Sequence, residues 1–245
     1  MNNKSIFLSV VIPAFNECDV IGNSLNTVIS YLNKKKYNSE IIIVDDGSAD
    51  DTANIVKNTQ KKDSRIKFFV NNTNMGKGYS SKKGIMEANG EYILLTDADL
   101  PIYIEETENF IHYLDMGFDI VLASRRIPGA KLIGSQPIMR AVASFILSKI
   151  VQLCLKFDIA DPQCGFKCYR TKSAKKLFSL QTIDGFGFDL EMLFLAKSME
   201  YKSKEIPVKW TCNKNSKVRL FRDGFSILGD IFKIKTSMNH QQSRQ

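Results

Sequence analysis

No stretch of this chain reaches the ~18–20 uninterrupted apolar residues that a membrane-crossing helix needs. The nearest, Ala141 to Leu155, is interrupted by Lys149. The sequence therefore does not read as spanning a bilayer, although it could lie on one. Glycine and proline are few, 14 and 6 in 245 residues, and no segment is of low complexity, so neither a linker nor an internal repeat is legible. The five cysteines, Cys18, Cys154, Cys164, Cys168 and Cys212, are an odd, scattered set and make no disulfide framework. Met1-Asn2-Asn3-Lys4 runs straight into a core-like strand with no secretory leader, so a reduced, cytoplasmic setting is expected. Cys164 and Cys168 have the spacing of half a zinc site, without a second pair or nearby histidine to complete it. Of the two histidines, His112 falls on an expected outer helix and His240 in a polar tail, and neither is given a role.

What is present suits one α/β domain. The chain is 44% hydrophobic and 24% charged, enough for a full core. Its net charge of +8 is uneven: from Lys202 to Gln245 there are ten Lys/Arg against three acids, so that segment alone carries +7. Such a segment is either a solvated face or a surface for an anionic partner, phospholipid or nucleic acid. No RNA-reading motif accompanies it, so nucleic acid is not the expected partner.

Apolar runs alternate with helical spacings. Strands are expected at Phe7–Ile12, Glu40–Val44, Ile66–Val70, Tyr92–Thr96 and Asp119–Ala123. Between them lie helices at Val20–Leu32, Asp51–Thr59, Lys77–Ala88 and Ile104–Met116. This alternation predicts a Rossmann-like, mostly parallel central sheet flanked by helices. The second half reads as a long apolar helix (Pro137–Phe157), a strand (Gly165–Arg170), helices at Ser173–Phe178 and Asp189–Met199, and a strand (Glu205–Trp210). An amphipathic C-terminal helix follows, with Phe221, Phe225, Leu228 and Phe232 on one face.

The most informative feature is Asp97-Ala98-Asp99, directly after the apolar run Tyr92-Ile93-Leu94-Leu95. Two carboxylates one residue apart at a buried strand's carboxyl end offer hard oxygens to a divalent cation, Mg²⁺ or Mn²⁺. A second acidic turn, Asp45-Asp46-Gly47-Ser48, follows Ile41-Ile42-Ile43-Val44. In open α/β sheets ligands sit beyond the strands' carboxyl ends, where Asn16-Glu17 also falls. Two such turns point to a nucleotide-sugar site. Gly76-Lys77-Gly78 adds close backbone approach and a cation near a helix start, which suits an anion.

Ser9-Val-Val-Ile-Pro-Ala-Phe-Asn-Glu17, Val44-Asp-Asp-Gly-Ser48, Asn74-Met-Gly-Lys-Gly78 and Asp97-Ala-Asp99 resemble, in this order, the motifs of family-2 inverting glycosyltransferases of the GT-A fold. Further on stand Ser124-Arg125, Asp161-Pro-Gln-Cys-Gly-Phe-Lys167, Gly187-Phe-Asp-Leu-Glu191, Ile206-Pro-Val-Lys-Trp210 and Ser216-Lys-Val-Arg219. These narrow the resemblance to dolichyl-phosphate β-glucosyltransferases and prokaryotic polyprenyl-phosphate glycosyltransferases, over roughly residues 7–235. It implies a nucleotide-sugar half (7–125), an acceptor and membrane-facing half (126–235) and a polar tail (236–245).

The resemblance also implies roles. Asp99, and next Asp97, hold the metal. Asp45, Asp46, Lys77, Asp97, Ala98, Pro13, Ala14 and Glu17 line the nucleotide sugar. Arg125, Arg140, Lys167 and Arg219 are acceptor-side cations, Ser144 lying one helical turn after Arg140. Asp161, Gln163, Asp189 and Glu191 face the sugar or orient those cations. Asp99, Asp161 and Arg125 are the residues expected to carry the chemistry. Many members place a polar residue where Pro101 stands here, so the metal would rest on Asp97, Asp99 and diphosphate oxygens. The eukaryotic members resemble single-pass anchored proteins, and this chain shows no N-terminal anchor. That points to a prokaryotic type, peripheral on the cytoplasmic face of an anionic membrane or held there by a membrane-protein partner. UDP-glucose and a polyprenyl or dolichyl phosphate are the expected substrates. GDP-mannose or a non-isoprenoid acceptor is the alternative within the family, and a nucleotide- or RNA-binding protein the alternative outside it.

Overall fold

A computed structural model describes residues 5–134, 138–155, 158–212, 227, 229–234 and 236, with backbone only for 138–144, 147 and 155. The elements run β1 (Leu8–Ala14), α1 (Ile21–Asn33), β2 (Ser39–Asp45), α2 (Thr52–Gln60), β3 (Ile66–Val70), α3 (Lys77–Glu87) and β4 (Tyr92–Leu95). After a 3₁₀ turn at Ile104–Glu106 come α4 (Thr107–Asp115), β5 (Ile120–Ser124), β6 (Lys131–Ile133) and α5 (Ile138–Leu155). Then follow β7 (Lys167–Arg170), α6 (Thr171–Ser179), α7 (Phe188–Ser198), β8 (Ser203–Pro207) and β9 (Lys209–Thr211). Residues 227, 229–234 and 236 are helical.

Among the described residues seven strands form one sheet in the order β3-β2-β1-β4-β7-β5-β8. It is parallel except for β7, which runs antiparallel to both β4 and β5. Side chains alternate across it. Leu8, Val10 and Ile12 of β1 pack with Leu25 and Val28 of α1 and Phe110 and Leu114 of α4. Val11, Ile42, Val44, Ile93 and Leu95 pack on the other face with Ile85 of α3, Leu177 and Phe178 of α6 and Leu190 of α7. Burial on both faces explains why the central strands read as continuous apolar runs.

Most expected elements stand within a residue or two of their sequence-based limits, and the departures have local causes. β1 runs through Pro13, where a stop at Ile12 is expected. Val11 O accepts from Thr96 N at the end of β4, whereas Ala14 O accepts from Asp46 N beside β2. Pro13 therefore faces the β4 side, beyond that ladder's last pair, Val11–Leu95, and no hydrogen bond is lost to its missing N–H. The expected strand Glu205–Trp210 is two strands: β8 joins the main sheet, and β9 leaves to pair with β6, three exposed residues that carry no strand signal.

In the C-terminal helix the core contact is made by isoleucines. Ile227, Ile231 and Ile234 are buried in the core and Phe232 is 70% exposed. Phe221, Phe225, Leu228, Lys235, the tail and the Ser216–Arg219 motif lie outside the described residues. Cys164 and Cys168 are buried, burial pushing the Cys164 thiol up to about 11 and Cys168 higher still, so both stay protonated. Among the described residues none of the helices is long and apolar enough to cross a membrane.

Helix α3 lies on the sheet through Gly84. A Cβ there would sit 2.5 Å from Val11 Cγ1 and 3.3 Å from Val44 Cγ2. Gly84→Ala should therefore overpack this face and destabilise the protein by about 1–3 kcal/mol. The check is a lower urea midpoint at unchanged slope; an unchanged midpoint would refute the close contact.

Candidate active site

At the carboxyl end of the sheet, the turns after β1 and β2 are knitted together. Asn16, at φ +54°, donates from its amide to Ser48 Oγ (2.8 Å), and its Oδ1 accepts from Ala49 N (2.8 Å). Ser48 Oγ also bonds Asp45 Oδ1, and Glu17 N donates to Thr52 Oγ1 (2.7 Å). Pro13, Ala14 and Asp45 are buried, while Phe15 is 39% exposed. Asp46 braces the neighbouring loop. Its Oδ1 accepts from Asn71 Nδ2 (2.8 Å) and Met75 N (2.9 Å), and its Oδ2 from Gly76 N (2.8 Å). These two oxygens thus hold the loop that leads to Lys77.

The glycines of that loop serve protein packing. A Cβ at Gly76, which has φ +106°, would lie 2.4 Å from Asp184 O, and one at Gly78 would lie 2.6 Å from Ile183 O. Glu191 in turn holds residues 182–183, its carboxylate accepting from Thr182 N, Thr182 Oγ1 and Ile183 N at 2.6–3.1 Å. The 182–184 segment is a strap across the start of α3.

Lys77, released from this loop, places Nζ 2.5 Å from Asp97 Oδ1. Burial pulls the Lys77 ammonium down in pKa, but Asp97, Asp189 and Asp99 outweigh it, and its net shift is upward. Burial likewise pushes the Asp97 carboxyl up, and Lys77, Lys167 and Arg125 more than reverse it. Both groups are charged across the neutral range. Asp97 is still 29% exposed. After Asp99 the chain turns sharply, with Leu100 at φ +42°, a conformation that a branched side chain rarely adopts outside functional turns. The Ala98 methyl is buried in the core. Among the described residues no cluster of three or more Asp, Glu, His or Cys encloses a metal. Asp99 and Asp97 fit an open site for a hard cation that completes its shell with diphosphate oxygens and water.

On the other side of Asp97, Gly165 comes so close that a Cβ would lie 1.9 Å from Asp97 Oδ2. Its loop is held by Lys167, which is 1% exposed and donates to Cys164 O and Asp189 Oδ1, both at 2.6 Å. Gln163 is half-buried in the preceding turn. Arg125 grips Asp161 with its amide (2.9 Å), Nε (2.7 Å) and Nη2 (2.8 Å), and stacks over Trp210, Cζ 5.5 Å from the ring centre. Burial lowers the Arg125 pKa, but Asp161 carries it above its ordinary value. Burial raises the Asp161 pKa, and Arg125 brings it below the usual carboxylate range. Asp161 is 2% exposed, so removing Arg125 would strand a buried charge at a cost of about 3–5 kcal/mol. Glu205 squares the loop by accepting from Ala160 N (2.7 Å) and Asp161 N (2.8 Å).

Helix α5 borders this cluster. Ser148 Oγ donates to Ala160 O (3.1 Å) and Gln152 Nε2 to Ile159 O (2.8 Å), fixing its inner side. Phe145, Ile146 and Leu153 on its outer side are 52%, 52% and 80% exposed. Arg140 and Ser144 fall in its first turns, where the backbone alone is described.

A family model, "Glycosyl transferase family 2", matches residues 9–178. The chain belongs to this family. It is 33% identical to the dolichyl-phosphate beta-glucosyltransferase of Dictyostelium discoideum over 94% of this chain and 74% of that protein. The human protein of the same name is 31% identical over 86% and 69%. A crystal structure of glucosyl-3-phosphoglycerate synthase from Mycobacterium tuberculosis with Mn²⁺, UDP and phosphoglyceric acid superposes with a TM-score of 0.72 at 16% identity, covering 94% of this chain and 78% of that one. The protein is a glycosyltransferase of GT-A fold.

Sequence reasoning misses four residues that build the candidate site. Glu205 gives no signal, being one acid in a half-buried strand. Trp210 stands out only as the end of a motif. Gly165 also lies in a motif, but nothing local reveals its approach to Asp97. Arg126 is overshadowed by Arg125 next to it; its Nε is 3.7 Å from Asp161 Oδ1 and its Cζ 5.8 Å from the Phe145 ring centre. The Gly165 contact is open to test. Gly165→Ala forces the Asp97 carboxylate aside, and since that group is the far end of a side chain, the fold should tolerate it. Turnover should fall on the order of 10²-fold, the scale of a 1 Å misplacement, with little change in thermal midpoint. Full activity would show that Asp97 need not stay where it is.

Proposed function

We propose that this enzyme transfers glucose from UDP-glucose to a polyprenyl or dolichyl phosphate, with inversion at the sugar carbon, on the cytoplasmic face of a membrane. The observation that carries the reading is the closeness of two unlike charge clusters. Lys77–Asp97 lies beside the donor motifs, and Arg125–Asp161 lies in the loop that α5 holds, next to Arg126, which sits over the exposed Phe145 ring. They are near enough that Arg125 and Asp97 shift each other's titration. A charged reactant therefore meets a second one carried by an apolar tail. Relatives named as dolichyl-phosphate beta-glucosyltransferases and a fold neighbour crystallised with Mn²⁺ and UDP support this choice.

The chemistry asks little of a base. A lipid phosphate oxygen is already ionised near neutral pH. It attacks the anomeric carbon, the bond to the diphosphate oxygen breaks, and UDP leaves. A divalent cation held by Asp99 and Asp97 would neutralise the departing diphosphate. Lys77 adds a positive charge there. Asp45 and Glu17 line the nucleoside side. Arg125, Arg140, Ser144, Gln163 and Lys167 form or support the acceptor side, with Arg125 aimed by Asp161.

The deciding experiment offers radiolabelled UDP-glucose and GDP-mannose with undecaprenyl or dolichyl phosphate. Organic-soluble product is expected from UDP-glucose, and excess EDTA or Asp99→Asn should nearly abolish it while the fold stays intact. Product from GDP-mannose alone moves the donor assignment; full activity in EDTA removes the metal.

Attachment to the bilayer follows from the same reading. Phe145, Leu153 and Phe232 present apolar area, and each basic residue near an anionic surface adds about 1 kcal/mol. Binding to anionic vesicles should weaken with salt and fall further in a Phe145→Ser/Leu153→Ser/Phe232→Ser variant. Equal binding to neutral and anionic vesicles, or none, would count against a peripheral enzyme.

A further inference from the structure

The C-terminal helix carries a buried acid that the transfer chemistry does not use. Asp230 is 6% exposed, set among the buried Ile227, Ile231 and Ile234. Its side chain lies directly on Gly187, the residue that opens α7: a Cβ at Gly187 would be 2.3 Å from Asp230 Oδ2 and 2.6 Å from Asp230 Cβ. Lys233 Nζ is 3.5 Å from its Oδ1, and burial raises the Asp230 pKa against that attraction. From Gly187 two branches reach the site. Asp189, two residues on, holds Lys167 and with it the Gly165 loop against Asp97. Gly187 O accepts from the amide of Glu191 (3.2 Å), which clamps the 182–184 strap over Gly76 and Gly78 and so locates Lys77.

We propose that Asp230 is a positioning residue: seated on Gly187, it fixes the start of α7 and thereby sets both groups that meet at the donor cleft, Asp97 through Lys167 and Lys77 through the strap. The inference rests on the functional reading above only for what the cleft binds. A helix whose outer face is exposed thus has its inner face wired to the reacting end of the sheet.

The test uses the full chain. In Asp230→Ala, amide hydrogen exchange should accelerate at least tenfold in 182–191 and in 164–167, segments remote in sequence from the change. The apparent KM for the nucleotide sugar should rise at least fivefold, more than that for the acceptor. Asp230→Asn, of the same shape, should keep both readouts within twofold of the parent. Gly187→Ala, which attacks the contact from its other side, should reproduce the Asp230→Ala pattern and replaces it if that variant does not fold. Acceleration confined to 227–236, with kinetics unchanged, would overturn the proposal and leave Asp230 a local packing residue. Exchange needs no substrate, so an enzyme that proved to use a different donor or acceptor would leave this result intact.

Discussion

The antiparallel insertion of β7 between β4 and β5 is the constraint on which the site depends. A strand ladder fixes neighbours residue by residue. Leu95 of β4 pairs with Lys167 of β7, and Lys167 pairs in turn with Leu122 of β5. Because β7 runs the other way, its beginning lies at the edge where β4 and β5 end. The loop that enters it, from Asp161 to Phe166, is thereby delivered to Asp97 and Arg125. A parallel β7 would have carried that loop to the opposite edge, and the two halves of the chain would share a core without sharing a cleft.

Once brought together, these side chains alternate in sign: Lys77 with Asp97, Lys167 with Asp189, Arg125 with Asp161. Several are almost wholly buried, and burying ions costs more than their attraction returns unless every oxygen and proton is occupied. The structure meets that condition with backbone groups. Cys164 O takes a Lys167 proton, the Arg125 amide reaches Asp161, and Glu205 takes the two amides that precede the Asp161 side chain. Such a network stabilises the fold weakly for its size. Its value lies in a fixed electrostatic field around a cleft where charge moves during reaction, so little reorganisation remains to be done then. Lys77 and Asp97 are the least enclosed pair, about a quarter exposed, and the function proposed above would bring a diphosphate with its cation to them.

Much of this was legible in the sequence because it is local. Apolar runs of four to seven residues, each ending in Asp or Asn-Glu, placed β1, β2 and β4 and put Asp45, Asp97 and Asp99 on one edge. What could not be read depends on partners far along the chain. The glycines at 76 and 78 resemble an anion cradle, yet they are small because Asp184 and Ile183 pass over them. Asp46 has the look of a ligand beside Asp45, and nothing in the sequence shows that it also accepts from the Met75 and Gly76 amides. The direction of β7 leaves no trace in its residues, since a strand's pattern is the same read either way. β6 is exposed throughout and has no periodicity to show.

On the C-terminal helix the residues that pack are not those of the aromatic pattern. Phe221, Phe225, Leu228 and Phe232 read as one apolar face; Phe232, the one of them described, is exposed, while Ile227, Ile231 and Ile234 are the residues that pack. Phe232 is left 70% exposed beside Lys233. Apolar area next to ammonium groups is costly in water and favourable at a lipid headgroup boundary. The same division appears on α5, where Ser148 and Val151 are buried while Phe145, Ile146 and Leu153 are exposed. Under the function proposed above, these exposed apolar side chains and the buried ion pairs would act together, the first meeting the apolar tail of the acceptor and the second its charge.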